Sequence, residues 1–123
     1  MTVEERTMAE AAIVSVVLDY FEGWFDGDAA RMERALHPDL AKRSLAQDGR
    51  TLNKATAERM IEATGRGAGR ELDPGDRRIE VEVEDVYDTI ANVTVRSAVY
   101  REYVQLVRTP EGWRIVNALW ELT

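Results

Sequence analysis

Ile13-Val-Ser-Val-Val-Leu-Asp-Tyr-Phe-Glu-Gly-Trp-Phe-Asp-Gly-Asp28 is the stretch around which the rest of the chain must be built. Two apolar files run along it at helical spacing, Ile13, Val17, Tyr20, Trp24 and Val14, Leu18, Phe21, Phe25. Ser15, Asp19, Glu22 and Asp26 form the one polar file. A helix that is apolar around most of its circumference has to be covered from several sides, so a curved sheet and further helices are expected to wrap it. The spacing predicts this helix over 9–26, with residues 1–8 as a polar lead-in. Gly23 inside it costs about 1 kcal/mol relative to alanine and marks either a close packing contact or nothing at all.

Gly27 stops the helix, and Asp28 is placed to cap a short second one through Leu36, with Met32, Ala35 and Leu36 inward. Pro38 ends that helix and pushes His37 out of helical geometry. Leu40–Leu45 reads as a first strand, followed by a turn over 47–50. A third helix is expected over Lys54–Thr64, capped by Asn53 and burying Ala57, Met60 and Ile61. Gly65-Arg-Gly-Ala-Gly69 superficially suggests a phosphate cradle. It lacks the Lys-Ser/Thr of a P-loop and follows a helix, so it reads as a linker. From Arg78 onward the chain reads as strand: Ile79, Val81 and Val83 alternate with Glu80, Glu82 and Glu84. Residues 91–99 and 100–108 continue the pattern, 109–112 make a hairpin turn, and 113–122 form the last strand. Helices first and strands afterwards predict a single α+β domain over residues 1–123, helices packed on one face of a mostly antiparallel sheet.

A net charge of −7 argues against a nucleic-acid footprint or adhesion to an anionic membrane. With no cysteine there is no disulfide, thiolate nucleophile or thiolate metal site. One histidine and no carboxylate cluster at ligand spacing argue against zinc, and no cofactor is expected. The N-terminal residues lack the basic-then-apolar order of a signal peptide, and no apolar run approaches the roughly 20 residues that span a bilayer. A cytoplasmic protein is the expectation.

Three blocks carry a family resemblance: Tyr20-Phe-Glu-Gly-Trp-Phe-Asp-Gly-Asp28, Ala35-Leu-His-Pro-Asp39, and Glu111-Gly-Trp-Arg-Ile-Val-Asn-Ala-Leu-Trp120. In content and order they resemble the nuclear transport factor 2-like superfamily, in its SnoaL-like branch that bears the label "putative lumazine-binding". The resemblance implies a cone-shaped curved sheet closed by three helices, an apolar pocket in its mouth, and a homodimer through the sheet. The superfamily holds ketosteroid isomerases, polyketide cyclases, dehydratases, epoxide hydrolases and members with no known activity, so the fold does not transfer a reaction. Ketosteroid isomerases place an oxyanion-holding tyrosine seven residues before the glycine of the Gly-Asp turn, where this chain has Tyr20. Their proton-shuttling aspartate, seventeen residues past that glycine, is replaced by Ser44, which cannot take a proton from carbon near neutral pH. Their second acid, counted back from Gly112, falls on Val104 or Tyr103. The acid-base pair is therefore expected to be absent.

Tyr20 and Trp24, four apart, share a helix face and are either core aromatics or pocket walls. Lys42 and Ser44 point to one side of the first strand. Lys42 is either a solvated edge lysine, the commoner arrangement, or a buried anion anchor or base with a lowered pKa. His37 is the sole imidazole, suited to capping a helix C-terminus or to acid-base work, and neighbouring Asp39 could orient it. In the last strand neither parity is cleanly polar, so both sheet faces are expected to be covered. Trp120 is expected to line the pocket, with Tyr103 and Asn117 as further ligand contacts. The Glu80, Glu82, Glu84 file reads as a solvated face.

Three functional readings follow. The first is binding of a small aromatic or polycyclic molecule by Tyr20, Trp24, Ser44, Tyr103, Asn117 and Trp120. The second is a cofactor-independent cyclase, isomerase or hydratase using His37 or Lys42 as acid-base, with Tyr20 donating to an enolate oxygen. The third is an interaction domain whose pocket is filled by its own side chains.

Overall fold

The computed structural model describes residues 1–123. Helix α1 spans Val3–Asp26, α2 Ala29–Ala35 and α3 Ala57–Gly65; strands are β1 Leu36–Leu45, β2 Leu52–Ala55, β3 Glu80–Tyr87, β4 Ile90–Arg96, β5 Tyr100–Thr109 and β6 Gly112–Leu122. The six strands form one sheet in the order β2-β1-β6-β5-β4-β3. Only β1 and β6 pair in parallel; every other pair is antiparallel. The α+β architecture and the mostly antiparallel sheet expected from the sequence are therefore present.

Helix α1 begins six residues earlier than its apolar periodicity predicts. Thr2 caps it by accepting from the Glu5 amide at 3.0 Å, Glu4 and Glu5 favour the positive helix end, and Arg6 pairs with Glu10 at 2.9 Å. Those first turns are exposed, which is why they carry no apolar stripe. Beyond them Ile13, Val17, Tyr20, Phe21 and Phe25 are buried. Burying each such side chain stabilises the fold by about 1.5–3 kcal/mol. Gly27 adopts a left-handed φ of 69° that ends the helix, and Asp28 caps α2 by accepting from the Arg31 amide at 3.1 Å. Gly23 is a packing contact: a Cβ there would stand 3.1 Å from the Arg31 Cβ and 3.3 Å from the Met32 amide nitrogen. The polar file of α1 grips α2. Asp19 accepts from Arg31 and Arg34 at 2.8–2.9 Å, and Glu22 accepts from Arg31 at 3.2 Å.

Two boundaries differ from expectation. Strand β1 starts at Leu36, directly after α2, and Pro38 is accommodated because the β1–β6 register is irregular between Leu36 and Ala41. Residues 52–55 form a strand hairpinned to β1, so Asn53 pairs opposite Ser44 and does not cap a helix. The cap of α3 is Thr56, whose Oγ1 accepts from the Arg59 amide at 3.2 Å. Cross-strand pairing with β1 overrides the weak local preference of Leu-Asn-Lys-Ala.

The mixed parity of the last strand has a definite cause. Gln105 pairs with Asn117 and Leu106 with Ile115, so Val116 is an extra residue on β6, a bulge. Trp113 and Ile115 face inward before it, and Ala118 and Trp120 face inward after it, so the inward set switches parity midway. A second bulge, at Glu84, does the same to β3. No helix is long and apolar enough to cross a membrane.

Candidate functional site

One cavity of about 150 Å³ opens between α1, α3 and the inner face of the sheet. Helix α1 contributes Tyr20, Phe21 and Trp24, α3 Met60, β1 Lys42 and Ser44, β2 Asn53, Lys54 and Ala55, β5 Tyr100 and Glu102, and β6 Trp120. The aromatic wall is braced internally. Trp24 Nε1 donates to the Tyr100 hydroxyl at 3.0 Å, Tyr100 meets Trp120 edge-on with centroids 5.5 Å apart, and Phe25 stacks behind Tyr100 at 5.9 Å. Gly69 lies against Trp24, where a methyl group would overlap the tryptophan carbonyl oxygen and indole. The glycine-rich segment is thus packing for the pocket wall, as its linker reading allows.

A polar cluster occupies the apolar site. The Lys42 side chain is 11% exposed, and its ammonium donates to the Tyr20 phenol oxygen and stands 3.8 Å from Glu102 Oε1. The same ammonium lies 4.8 Å from the Tyr20 ring centroid and 5.5 Å from that of Trp120, within cation–π range. Glu102 is 2% exposed, and its Oε2 accepts no hydrogen bond. A buried polar atom without a partner costs about 1–3 kcal/mol, and more when charged.

Burial sets the titration of all three. Desolvation pushes Lys42 below the ordinary lysine value, against the opposing pull of the Glu102 charge. Desolvation raises Glu102 above the ordinary carboxylate value, against the stabilising charge of Lys42 and the polar neighbourhood of Tyr20 and Lys42. Desolvation, reinforced by the Glu102 charge, drives Tyr20 well above a free phenol, so it is a neutral phenol at neutral pH. At the mouth, Asn53 Nδ2 donates to Ser44 Oγ at 3.2 Å.

Of the residues singled out from sequence, Tyr20, Trp24, Lys42, Ser44 and Trp120 meet at this cavity, and the others do not. His37 lies at the far end of β1, where its Nδ1 accepts from the Asp39 amide at 3.0 Å; it touches neither cavity nor cluster. The Asp39 side chain therefore does not orient it. Tyr103, 51% exposed, and Asn117 are on the opposite face of the sheet. There Asn117 donates to Gln105 at 2.8 Å and Gln105 to Asn92 at 2.9 Å, an amide ladder across three strands. Lys42 is not a solvated edge lysine, because β2 lies outside β1 and makes β1 an interior strand.

The count that puts Val104 or Tyr103 at the second acid's position overlooks Glu102, a strand acid that does line the cavity. Counting from the hairpin landed on Val104, which shares its face but lies one alternation too far along. The signal was available: Tyr100, Glu102, Val104 and Leu106 form one parity, and Glu102 is the charged member of an otherwise apolar set. Tyr100, Asn53 and Met60 also join the lining, and reading a helix across 54–64 concealed Asn53.

Residues 8–121 match the family described as "Putative lumazine-binding", and the chain belongs to it. Among solved structures it is similar to an NTF-2-like protein of unknown function from Silicibacter pomeroyi (16% identity, all of both chains, TM-score 0.70). It is similar to an NTF2-like protein of unknown function from Shewanella baltica (14% identity, 100% of this chain and 98% of that one, TM-score 0.71). An uncharacterised protein with a cystatin-like fold from Caulobacter vibrioides shares 14% identity over 94% of this chain and 90% of its own, TM-score 0.64. These likenesses establish the NTF2-like, cystatin-like fold. No curated protein sequence matches the chain.

Proposed function

We propose that this member of the lumazine-binding-labelled NTF2-like family is a single domain that binds a small planar molecule in the cavity between α1 and the sheet. The supporting observation is an aromatic wall, Trp24, Tyr100 and Trp120, set around the buried Lys42–Glu102–Tyr20 cluster. Apolar walls with a few convergent polar groups are the usual make-up of a ligand site. The volume narrows the ligand. A cavity of about 150 Å³ accepts a benzene-sized ring, so one ring or a compact fused pair suits it better than an extended polycycle. The family description supports small-molecule binding as the class. Tyr20, Trp24, Ser44 and Trp120 supply contacts, and Tyr103 and Asn117 do not take part.

Native mass spectrometry of the protein as purified, followed by tryptophan quenching with a panel of ring compounds, tests this. Saturable quenching that is lost in Trp24→Ala and Trp120→Ala supports the reading. A folded protein that no ring compound quenches overturns it.

A second reading has its own support. Lys42 and Glu102 are displaced towards each other in pKa beside a neutral Tyr20 phenol, an arrangement suited to proton transfer at a carbonyl-bearing ring. In it Lys42 is the base, Tyr20 donates to the developing oxyanion, and His37 plays no part. Lys42-dependent exchange of α-hydrogens of cyclohexanone for deuterium, followed by NMR, is its test. Exchange at the buffer rate in both wild type and Lys42→Met rejects it.

The homodimer is also a proposal. The outer sheet face, with Tyr103 and Leu119 exposed at its centre, is the candidate interface. Light scattering of wild type and Tyr103→Glu checks it, a monomer in both being the contrary result.

A further inference from the structure

We infer that the cavity selects a neutral planar ring carrying adjacent N–H and C=O groups, a cyclic amide edge, with Glu102 accepting from the N–H and Lys42 donating to the carbonyl. This rests on the small-molecule reading above and gives it a chemical class.

Two unmet hydrogen-bonding capacities carry the inference. Glu102 lines the cavity and is almost completely buried, yet Oε2 accepts from no group of the protein. An ionised carboxylate can only accept, so what satisfies this oxygen must be a donor. Lys42 also lines the cavity and has three N–H bonds, of which one is directed to Tyr20. Its nearest carboxylate oxygen is 3.8 Å away, beyond hydrogen-bond distance, so donor capacity remains beside the unmet acceptor. An acceptor and a donor set side by side in one apolar space are complemented by a donor and an acceptor on one edge of the ligand.

Charge and shape remove the competitors. Lys42 and Glu102 compensate one another, so an anionic ligand would face Glu102 and a cationic one Lys42, each unpaired in a site of low dielectric. A hydrocarbon ring would leave both groups unmet. A ketone would satisfy Lys42 alone. The flanking rings of Trp24 and Trp120 favour a flat body, and the volume suits one ring or a compact fused pair.

The test uses three probes on the intact protein near neutral pH: 3-methyl-2-pyridone, its isomer N-methyl-2-pyridone, and toluene, titrated by ligand-observed NMR and tryptophan fluorescence. The isomers have the same bulk and the same carbonyl, and only the first has an N–H. The expected result is binding of the first at least about tenfold tighter than the second, because a site built to bond an N–H rejects the analogue lacking it. In Glu102→Leu the two should converge to within about threefold. Equal binding of the isomers to wild type overturns the inference, and so does a preference that survives in Glu102→Leu. The wild-type comparison stands alone if that variant does not fold. Toluene binding without either pyridone overturns the amide edge and leaves the small-molecule reading in place. Binding of none of the three overturns both.

Discussion

Lys42 on β1 and Glu102 on β5 reach each other across the intervening strand β6, Nζ 3.8 Å from Oε1. Ala118 pairs with Lys42 on one side and with Val104, next inward-facing neighbour of Glu102, on the other. The bulge at Val116 turns Ala118 and Trp120 inward, in register with Lys42 and Glu102 respectively.

The first prediction concerns this pair. Removing one member leaves a buried charge uncompensated, so Lys42→Met or Glu102→Leu alone should destabilise by about 3–5 kcal/mol. The double variant should recover most of that loss or exceed wild type by about 1–4 kcal/mol, since apolar side chains of similar volume carry no desolvation cost. Urea denaturation of all four proteins gives the cycle. Additive single-variant losses would show that the two groups do not interact.

The pH dependence follows from the raised carboxyl of Glu102. Between the ordinary value of 4.5 and its higher folded value, the folded protein holds a proton that the unfolded chain has released. The native state then binds more protons, so this group's contribution to stability is full below 4.5 and is lost as pH rises through the folded value. The stability of Glu102→Gln relative to wild type should therefore increase across that window and level off above it. A difference that is flat from pH 4 upward would mean that Glu102 titrates like a free carboxylate.

How much of this was legible depends on the range of the contact involved. The α1 files, the Gly27–Asp28 turn and the alternation of β3 are local patterns, and each forms the element its period announces. The start of α1 rests on a cap and an ion pair, which an apolar search passes over although Thr2 and Glu5 sit at capping-box spacing. Strand β2 exists because β1 pairs with it, and four residues of unremarkable propensity cannot announce that. For the site, Tyr20, Trp24, Lys42, Ser44 and Trp120 could be named from faces and family spacing. Glu102 could not be matched to Lys42, because their encounter needs the parallel β1–β6 pairing and the Val116 bulge, neither of which is written in a local period. The same bulge hides the face of Asn117, whereas the outward face of Tyr103 follows from the plain alternation of β5.

Gly69 tests whether the glycine-rich segment is a packing element. Gly69→Ala puts a methyl group into the carbonyl and indole of Trp24, so backbone or ring must shift. A destabilisation of about 1–3 kcal/mol is expected, the range for overpacking, with a shift in tryptophan emission as Trp24 loses its bond to Tyr100. Gly67→Ala is a less crowded comparison, since nothing lies within 4 Å of its would-be Cβ, although its φ of 88° carries a strain of its own. Unchanged emission and stability in Gly69→Ala would contradict the close approach.

Asp19 provides the last prediction, on the side of α1 away from the cavity. Burial raises its carboxyl, but the hydrogen bonds and charges of Arg34 and Arg31 together outweigh that and hold it below the ordinary 3.8. A folded value depressed below the unfolded one gives stability that is present above 3.8 and disappears as pH falls through the folded value. Asp19→Asn should cost about 1.5–3 kcal/mol at pH 7, the range for a hydrogen bond to a charged group, and the gap to wild type should close as pH falls through the folded value. Because α2 carries Met32 and leads directly into β1, loosening this clamp should also weaken ring binding while His37→Ala leaves it unchanged. Thermal melts at pH 7 and pH 2.5, with the same tryptophan titration, decide it; a gap that persists in acid would assign the loss to shape and not to charge.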